Sequence, residues 1–408
     1  MAGRQLSVWA APSSFAPYSR EARSFFVDEG GTRVGGPTQR RVRRSLVYVG
    51  VTVITVCALL SLVEGGASTA IFVADIRALH RDNGLDGALD DTLVGWVGQP
   101  GFRVRDVFGA GAGLSHNLFG LRGPGPTSPE LSAGKRRIIC SGASFTYGLG
   151  VGDAETICAM LGRRLRGTET LNMSHPGHGI DQSFLWYQRD AERWPAEVHL
   201  LVFTWDDLER VMRRSNLGHG KPMLERRNGR LVAANVPVPR LSGSGFWSTV
   251  TTGASRLRLA QRFQGGSDPE AGREPDLIPA DAWDVATGVF LESLTLSPGR
   301  HSALVLVYLP TSLERLPDAG NARRARLAEF ARSQRLDFVD LTLDLRAVSP
   351  DSSAWFFITP NQPVKGVSGQ YTAAGHAWVA ERLASHLAST PGIAVALRIG
   401  VARTERVP

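Results

Sequence analysis

Five short apolar runs set the terms for this chain: "RRIIC" at 136–140, "ETLNM" at 169–173, "VHLLVFT" at 198–204, "ALVLVYLP" at 303–310 and "LDFVDLT" at 336–342. They alternate with "AETICAMLGRRL", "DQSFLWYQRDAERW", "ARRARLAEFARSQ" and "AAGHAWVAERLASHL", in which apolar residues recur at helical spacing. Runs of this length suit buried strands and are short for helices. Strands joined through helices lie parallel, with both faces of their sheet covered. The pattern predicts a three-layer α/β/α domain over 136–390 around a five-stranded parallel sheet. One region breaks the alternation. Residues 221–239 place Asn228-Gly229 between two alternating runs, a hairpin signal, and 263–276 is a Gly/Pro-rich loop. Residues 216–300 therefore read as an insertion, 65–135 as a connector and N-terminal extension, and 391–408 as a C-terminal tail.

Before this domain, Leu46 to Val63 form 18 consecutive uncharged residues, preceded by "RRVRR" and followed by Glu64. That length just spans a bilayer core as a helix, and a core helix would show a polar face over five turns. Residues 45–64 are expected to be one transmembrane anchor. The arginines before it keep 1–44 cytoplasmic as a disordered basic tail and place the main domain outside the cytoplasm, periplasmic or on the cell surface. A cleaved signal peptide is the competing reading, given "GGASTA" at 65–70. The net charge of +8 invites a nucleic-acid reading, but +5 of it lies in residues 1–44. The remainder is nearly balanced and carries no nucleic-acid-binding motif, so no nucleic-acid partner is expected. Nor is a metal or cofactor. Three cysteines make no disulfide scaffold, and Cys140 on the first strand and Cys158 on the next helix, which this order allows to lie close, read as core residues, free or paired.

Ligands of open α/β sheets bind at the carboxyl ends of the strands. After the first run stands Ser144, in "SGASFTYG", where a hydroxyl and an amide at a helix start suit a nucleophile with an oxyanion donor; plain helix capping is the alternative. After the second run comes "NMSHPGHGIDQ", in which Gly177 lets a backbone amide approach a ligand. After the third come Trp205 and Asp206; an aromatic beside a carboxylate suits a sugar site, and core packing is the other reading of Trp205. "GQYTAAGHAWVAERL" opens the last helix.

These four segments, in this order and at these strand ends, resemble the blocks of the SGNH (GDSL-type) hydrolase family, whose fold is flavodoxin-like. "DDTLVGWVGQPGFRVRDVFGAGAGLSHNLFGLRG" at 90–123 resembles the segment that precedes them in membrane-anchored members. The resemblance covers about residues 90 to 390 apart from the insertion. It implies ester chemistry, with Ser144 as nucleophile and Gly177 as oxyanion amide, in an acyl esterase or acyltransferase acting on O-acylated carbohydrate or a small ester. The remaining positions depart from the family pattern. Ala143 replaces an Asp, Asp206 stands where the family has an oxyanion-binding Asn, Gln370 where it has the catalytic His, and Val367 where it has that histidine's Asp. An ionised carboxylate accepts hydrogen bonds where the oxyanion needs a donor. Hence catalysis is expected to be impaired, or lost in favour of binding a glycan or partner through the old cleft. His178 is an alternative base if it faces that cleft. His376 reads as structural, and Asp181 and Asp207 as surface or capping carboxylates.

The charge bias yields a direct expectation. A reporter fused after residue 90 should register outside the cytoplasm, by alkaline phosphatase activity for instance, and be silent when the arginines at 40, 41, 43 and 44 are moved to follow Val63.

Overall fold

The computed structural model describes residues 41, 45–59, 87–125, 128–240, 278–299, 302–359 and 367–399. Within them the five apolar runs form five strands: β1 Arg136–Gly142, β2 Thr168–Ser174, β3 Val198–Phe203, β4 Ala303–Tyr308 and β5 Asp337–Asp340. Every pairing is parallel and the order is β2-β1-β3-β4-β5, the flavodoxin-like arrangement. Successive side chains of a strand point to opposite faces. Ile138 and Cys140 of β1 accordingly enter one core, with Leu200 and Val202 of β3 and Val305 and Val307 of β4, while Ile139, Leu201 and Leu306 enter the other.

The helices that cover these faces follow the apolar periodicity. α1 Ser144–Tyr147 and α2 Ile157–Arg164 follow β1, α3 Ile180–Asp190 follows β2, and α4 Trp205–Glu209 and α5 Ala280–Gly299 follow β3. Beyond β4 come α6 Asn321–Ser333, α7 Thr342–Ala347, α8 Pro350–Ala354, α9 Ala373–Ser389 and α10 Pro391–Leu397. Phe184 and Trp186 of α3, Val289 and Phe290 of α5 and Leu327 of α6 close one face. Leu161 of α2, Val379 and Leu383 of α9 and Ile393 of α10 close the other. Each such side chain, fully buried, contributes roughly 1.5–3 kcal/mol.

Two expected boundaries move. Residues 280–299, placed in the insertion by the sequence reading, are the crossover helix that a parallel β3-to-β4 connection requires. Ala282, Val285, Ala286, Val289 and Phe290 are all buried, and their spacing is that of one helix face. Residues 391–397, assigned to the tail, form α10, with Pro391 at its first position and Ile393, Ala394 and Leu397 buried. The hairpin is where Asn228-Gly229 predicts it. Leu224–Arg227 pairs with Arg230–Ala233, and both turn residues have positive φ, 52° and 79°. The Gly/Pro-rich loop lies outside the described residues.

Residues 45–59 are helical. Among the described residues no helix is long and apolar enough to cross a membrane; positions 60–64 of the expected anchor and all of the basic tail except Arg41 lie outside them. Cys140 and Cys158 are buried and free. Burial and the neighbouring Cys158 push the Cys140 thiol well above its usual range.

The extension at 87–125 is built from short pairings, Ala88–Asp91 with Gly95–Gly98 and Arg103–Val104 with Leu114–Ser115. It joins the sheet edge where the Arg122 amide donates to the Asn172 carbonyl at 3.0 Å.

At the end of β1 the sheet has no room for a side chain. A Cβ on Gly142 would lie 2.3 Å from Thr146 Oγ1 and 2.4 Å from the Val202 carbonyl oxygen. Gly142→Ala should therefore destabilise the domain by about 1–3 kcal/mol or more, as overpacking against backbone does, read as a lower urea midpoint at unchanged slope.

Candidate active-site cleft

Register gathers the site. Gly142 pairs with Ser174 on one side and Val202 on the other, so the loops after β1, β2 and β3 leave the sheet about one strand spacing, roughly 4.8 Å, apart. Ser144 is the first residue of α1, half-buried, on a tight turn closed by Gly148, whose amide donates to the Ser144 carbonyl at 3.0 Å.

Three side chains brace that turn from behind. Asn172 Nδ2 donates to the Thr146 carbonyl at 2.9 Å. Arg122 is buried, pairs with Asp153, and donates to the carbonyls of Tyr147 at 3.2 Å and Val151 at 2.9 Å. The third is His116, which donates from Nδ1 to the Gln99 carbonyl at 3.2 Å, so its Nε2 accepts from the Tyr147 hydroxyl at 2.8 Å. Burial, with the charges of His175 and Arg122, pushes the His116 pKa down to about 3, and the ring stays neutral.

Gln370 faces the serine. Its Nε2 donates to Ser144 Oγ at 3.1 Å, across 226 residues of chain. The backbone holds it there: the Ile358 amide donates to the Gln370 carbonyl at 2.8 Å, and the Gln370 amide to Val367 at 3.1 Å. Beside it the Tyr371 hydroxyl donates to the Pro310 carbonyl at 2.6 Å and Thr372 caps α9. Gln370 Oε1 is buried and has no hydrogen-bond partner among the described residues. Val367 is buried, and a Cβ built on Gly150 would lie 3.5 Å from its Cβ. A buried apolar side chain thus occupies the position that the resemblance gives to an Asp.

Gly177 has φ 79°, and a Cβ there would meet Leu217 Cδ1 at 2.5 Å, so the loop after β2 needs glycine on both counts. Its carbonyl accepts from Asn216 Nδ2 at 2.7 Å. The amides of Gly177 and Ser144 have no hydrogen-bond partner among the described residues and remain available as donors. Asp206 is exposed in the first turn of α4. Asp207 is the capping carboxylate that the sequence suggests, accepting from the Thr204 amide at 2.8 Å and pairing with Arg210, though it is buried and burial raises its pKa.

Four expectations resolve differently or more sharply. His178 does not face the cleft: it is fully buried, donates from Nε2 to the Trp96 carbonyl at 3.0 Å, and makes no hydrogen bond to Ser144. Burial and the charges of His175, Lys221 and Arg210 hold it well below the usual histidine range. The loop turns the ring inward because Trp96 and Trp186 offer it apolar edges, with centroids 5.1 and 5.8 Å away. Asp181 is neither at the surface nor a cap; it is fully buried in an ion pair with Lys221, itself fully buried. Trp205 is core, with the Arg323 guanidinium over its ring at 5.1 Å, which removes it from any sugar site. His376 is buried with its pKa pushed down to about 3 by burial, as a structural residue would be.

Lys221 escapes sequence reasoning altogether, since nothing in "GHGKPM" marks a buried ammonium. Arg122 had a signal, its place in the quoted "GLRG".

What results is an α/β domain with a serine at the carboxyl end of an interior strand, β1, facing an amide where a base would stand. No family model matches the chain and no curated protein matches it. Solved structures that match include GDSL/SGNH lipolytic hydrolases. A member of the lipolytic G-D-S-L family from Veillonella parvula is 10% identical, covering 61% of this chain and 97% of its own, at TM-score 0.34. A lipase/acylhydrolase from Enterococcus faecalis is 11% identical, with coverages of 62% and 95% and TM-score 0.32. A GDSL-like lipase from Bacteroides thetaiotaomicron is 11% identical, with coverages of 64% and 89% and TM-score 0.31. The chemistry of the cleft rests on this chain's own residues.

The Lys221–Asp181 pair ties the region after α4 to α3. Lys221→Met leaves a buried carboxylate alone and should cost about 3–5 kcal/mol. Adding Asp181→Leu should recover most of that loss, and a double-mutant cycle on urea midpoints measures it.

Proposed function

We propose that this chain is a membrane-anchored, extracytoplasmic SGNH-type hydrolase-like protein that accepts an acyl group, by the resemblance one carried on carbohydrate, and hydrolyses or transfers it weakly if at all. The observation that carries this reading is the Gln370 Nε2 to Ser144 Oγ hydrogen bond at 3.1 Å. A carboxamide cannot take the serine proton at neutral pH, and a positioned base contributes typically 10²–10⁴-fold. The cleft still offers the Ser144 and Gly177 amides to an acyl oxygen. At the third oxyanion position Asp206 brings a carboxylate, and one missing donor alone costs roughly 2.7–4 kcal/mol of barrier lowering. The uncharged run 46–63 behind "RRVRR" supports the anchor and the extracytoplasmic side.

A second reading is favoured by the same two residues: a binding protein for a glycan or partner that uses the cleft without turnover. One series of variants separates them. Wild-type protein should hydrolyse p-nitrophenyl acetate barely above background. The combined change Val367→Asp, Asp206→Asn and Gln370→His should raise the rate by at least about 10², a conservative share of what a base and a donor supply, and adding Ser144→Ala should abolish the gain. A folded triple variant with no gain supports the binding reading. Strong wild-type activity that disappears in Ser144→Ala overturns the impaired site.

A further inference from the structure

A cavity of about 810 Å³ lies between the extension, α2 and the edge strand β2, and none of Ser144, Gly177, Asp206 or Gln370 lines it. Its charged lining is Arg103, Arg105, Arg122, Arg163, Asp153 and Glu155. The two carboxylates are already engaged. Asp153 pairs with Arg122 and accepts from the Ser115 amide at 3.0 Å, and Glu155 accepts from the Gly152 amide at 2.9 Å. Arg103, Arg105 and Arg163 are exposed and have no ionic or hydrogen-bond partner among the described residues. Three permanently charged guanidinium groups therefore border one concavity, where Glu155 is the one lining carboxylate without a cationic partner among the described residues. Like charges gathered in this way repel one another. Several oxyanion groups on one ligand relieve that repulsion, each of them able to accept two parallel N–H bonds from a guanidinium.

We infer that this cavity is a second ligand site, for a small polyanion carrying two or three phosphate or carboxylate groups. Its volume falls in the range of small-molecule sites, roughly 300–1,000 Å³. The glycines at 111, 113, 123, 125 and 152 in its wall leave room for backbone to approach such a ligand. The site stands behind the nucleophile turn: Arg122 and Asn172, which line it, are the side chains that hold the Thr146, Tyr147 and Val151 carbonyls. The occupant and a ligand of the cleft can therefore be bound together. This inference does not rest on the ester reading of the cleft and survives its failure.

Calorimetric titration of the full-length chain tests it with three probes: tripolyphosphate, trigalacturonate and neutral maltotriose. At about 0.15 M salt, where exposed charges are screened beyond roughly 8 Å, at least one anion should bind with 1:1 stoichiometry and maltotriose should not. The tighter anion identifies the source, phosphate or uronate. Arg105→Gln with Arg163→Gln should weaken binding at least tenfold, and adding Arg103→Gln should abolish it; these side chains are exposed and unpaired, so the variants fold. Ser144→Ala should leave the affinity unchanged. The inference is overturned if neither anion binds, if the triple arginine variant binds as wild type does, or if Ser144→Ala removes binding.

Discussion

The structure turns on the absence of a Cβ at Gly142. With the Val202 carbonyl and Thr146 both closer than any side chain allows, β1 can end flush between β2 and β3 and turn at once into α1. That tight exit projects Ser144 from between two neighbouring strands. It also brings the Thr146, Tyr147 and Val151 carbonyls to the edge, where Asn172 and Arg122 satisfy them. A looser exit would leave those carbonyls without partners and a buried guanidinium facing nothing. Backbone packing at one residue thus underlies the serine's position, the buried Arg122–Asp153 pair and the docking of the extension.

Around that serine the chain builds a braced backbone frame and presents an uncharged group to the hydroxyl. The turn, the two free amides and the loop that presents position 370 are all built and braced. The group presented is an amide, and Val367 behind it is packed as core. A carboxylate at the buried position 367 would have to find a partner there to offset its desolvation.

The parts legible in the sequence were those governed by local pattern. Continuous apolar runs announce buried parallel strands, and Asn228-Gly229 announces its turn, because each depends on few neighbours. α5 shows the limit of this. Its one-sided apolar spacing at 282, 285, 286, 289 and 290 was present, but the hairpin and Gly/Pro-rich loop before it drew the boundary too late. Side-chain direction was the harder matter. Whether His178 enters the cleft depends on Trp96, 82 residues earlier, and whether Asp181 is exposed depends on Lys221, 40 residues later. Position 370 was paired with Ser144 through the resemblance; spacing alone would not have joined residues 226 apart.

The amide at position 370 also decides what the cleft can sense. Because Gln370 Nε2 occupies a lone pair of Ser144 Oγ, the hydroxyl proton is left to point outward, and the serine meets a ligand as a donor. The group placed against that hydroxyl among the described residues, the Gln370 carboxamide, keeps its protonation state across the physiological range. A serine paired with histidine changes character as the imidazole titrates. This one does not, so the strength of a hydrogen bond from that hydroxyl to an uncharged group would be the same at the serine itself in acidic as in neutral surroundings.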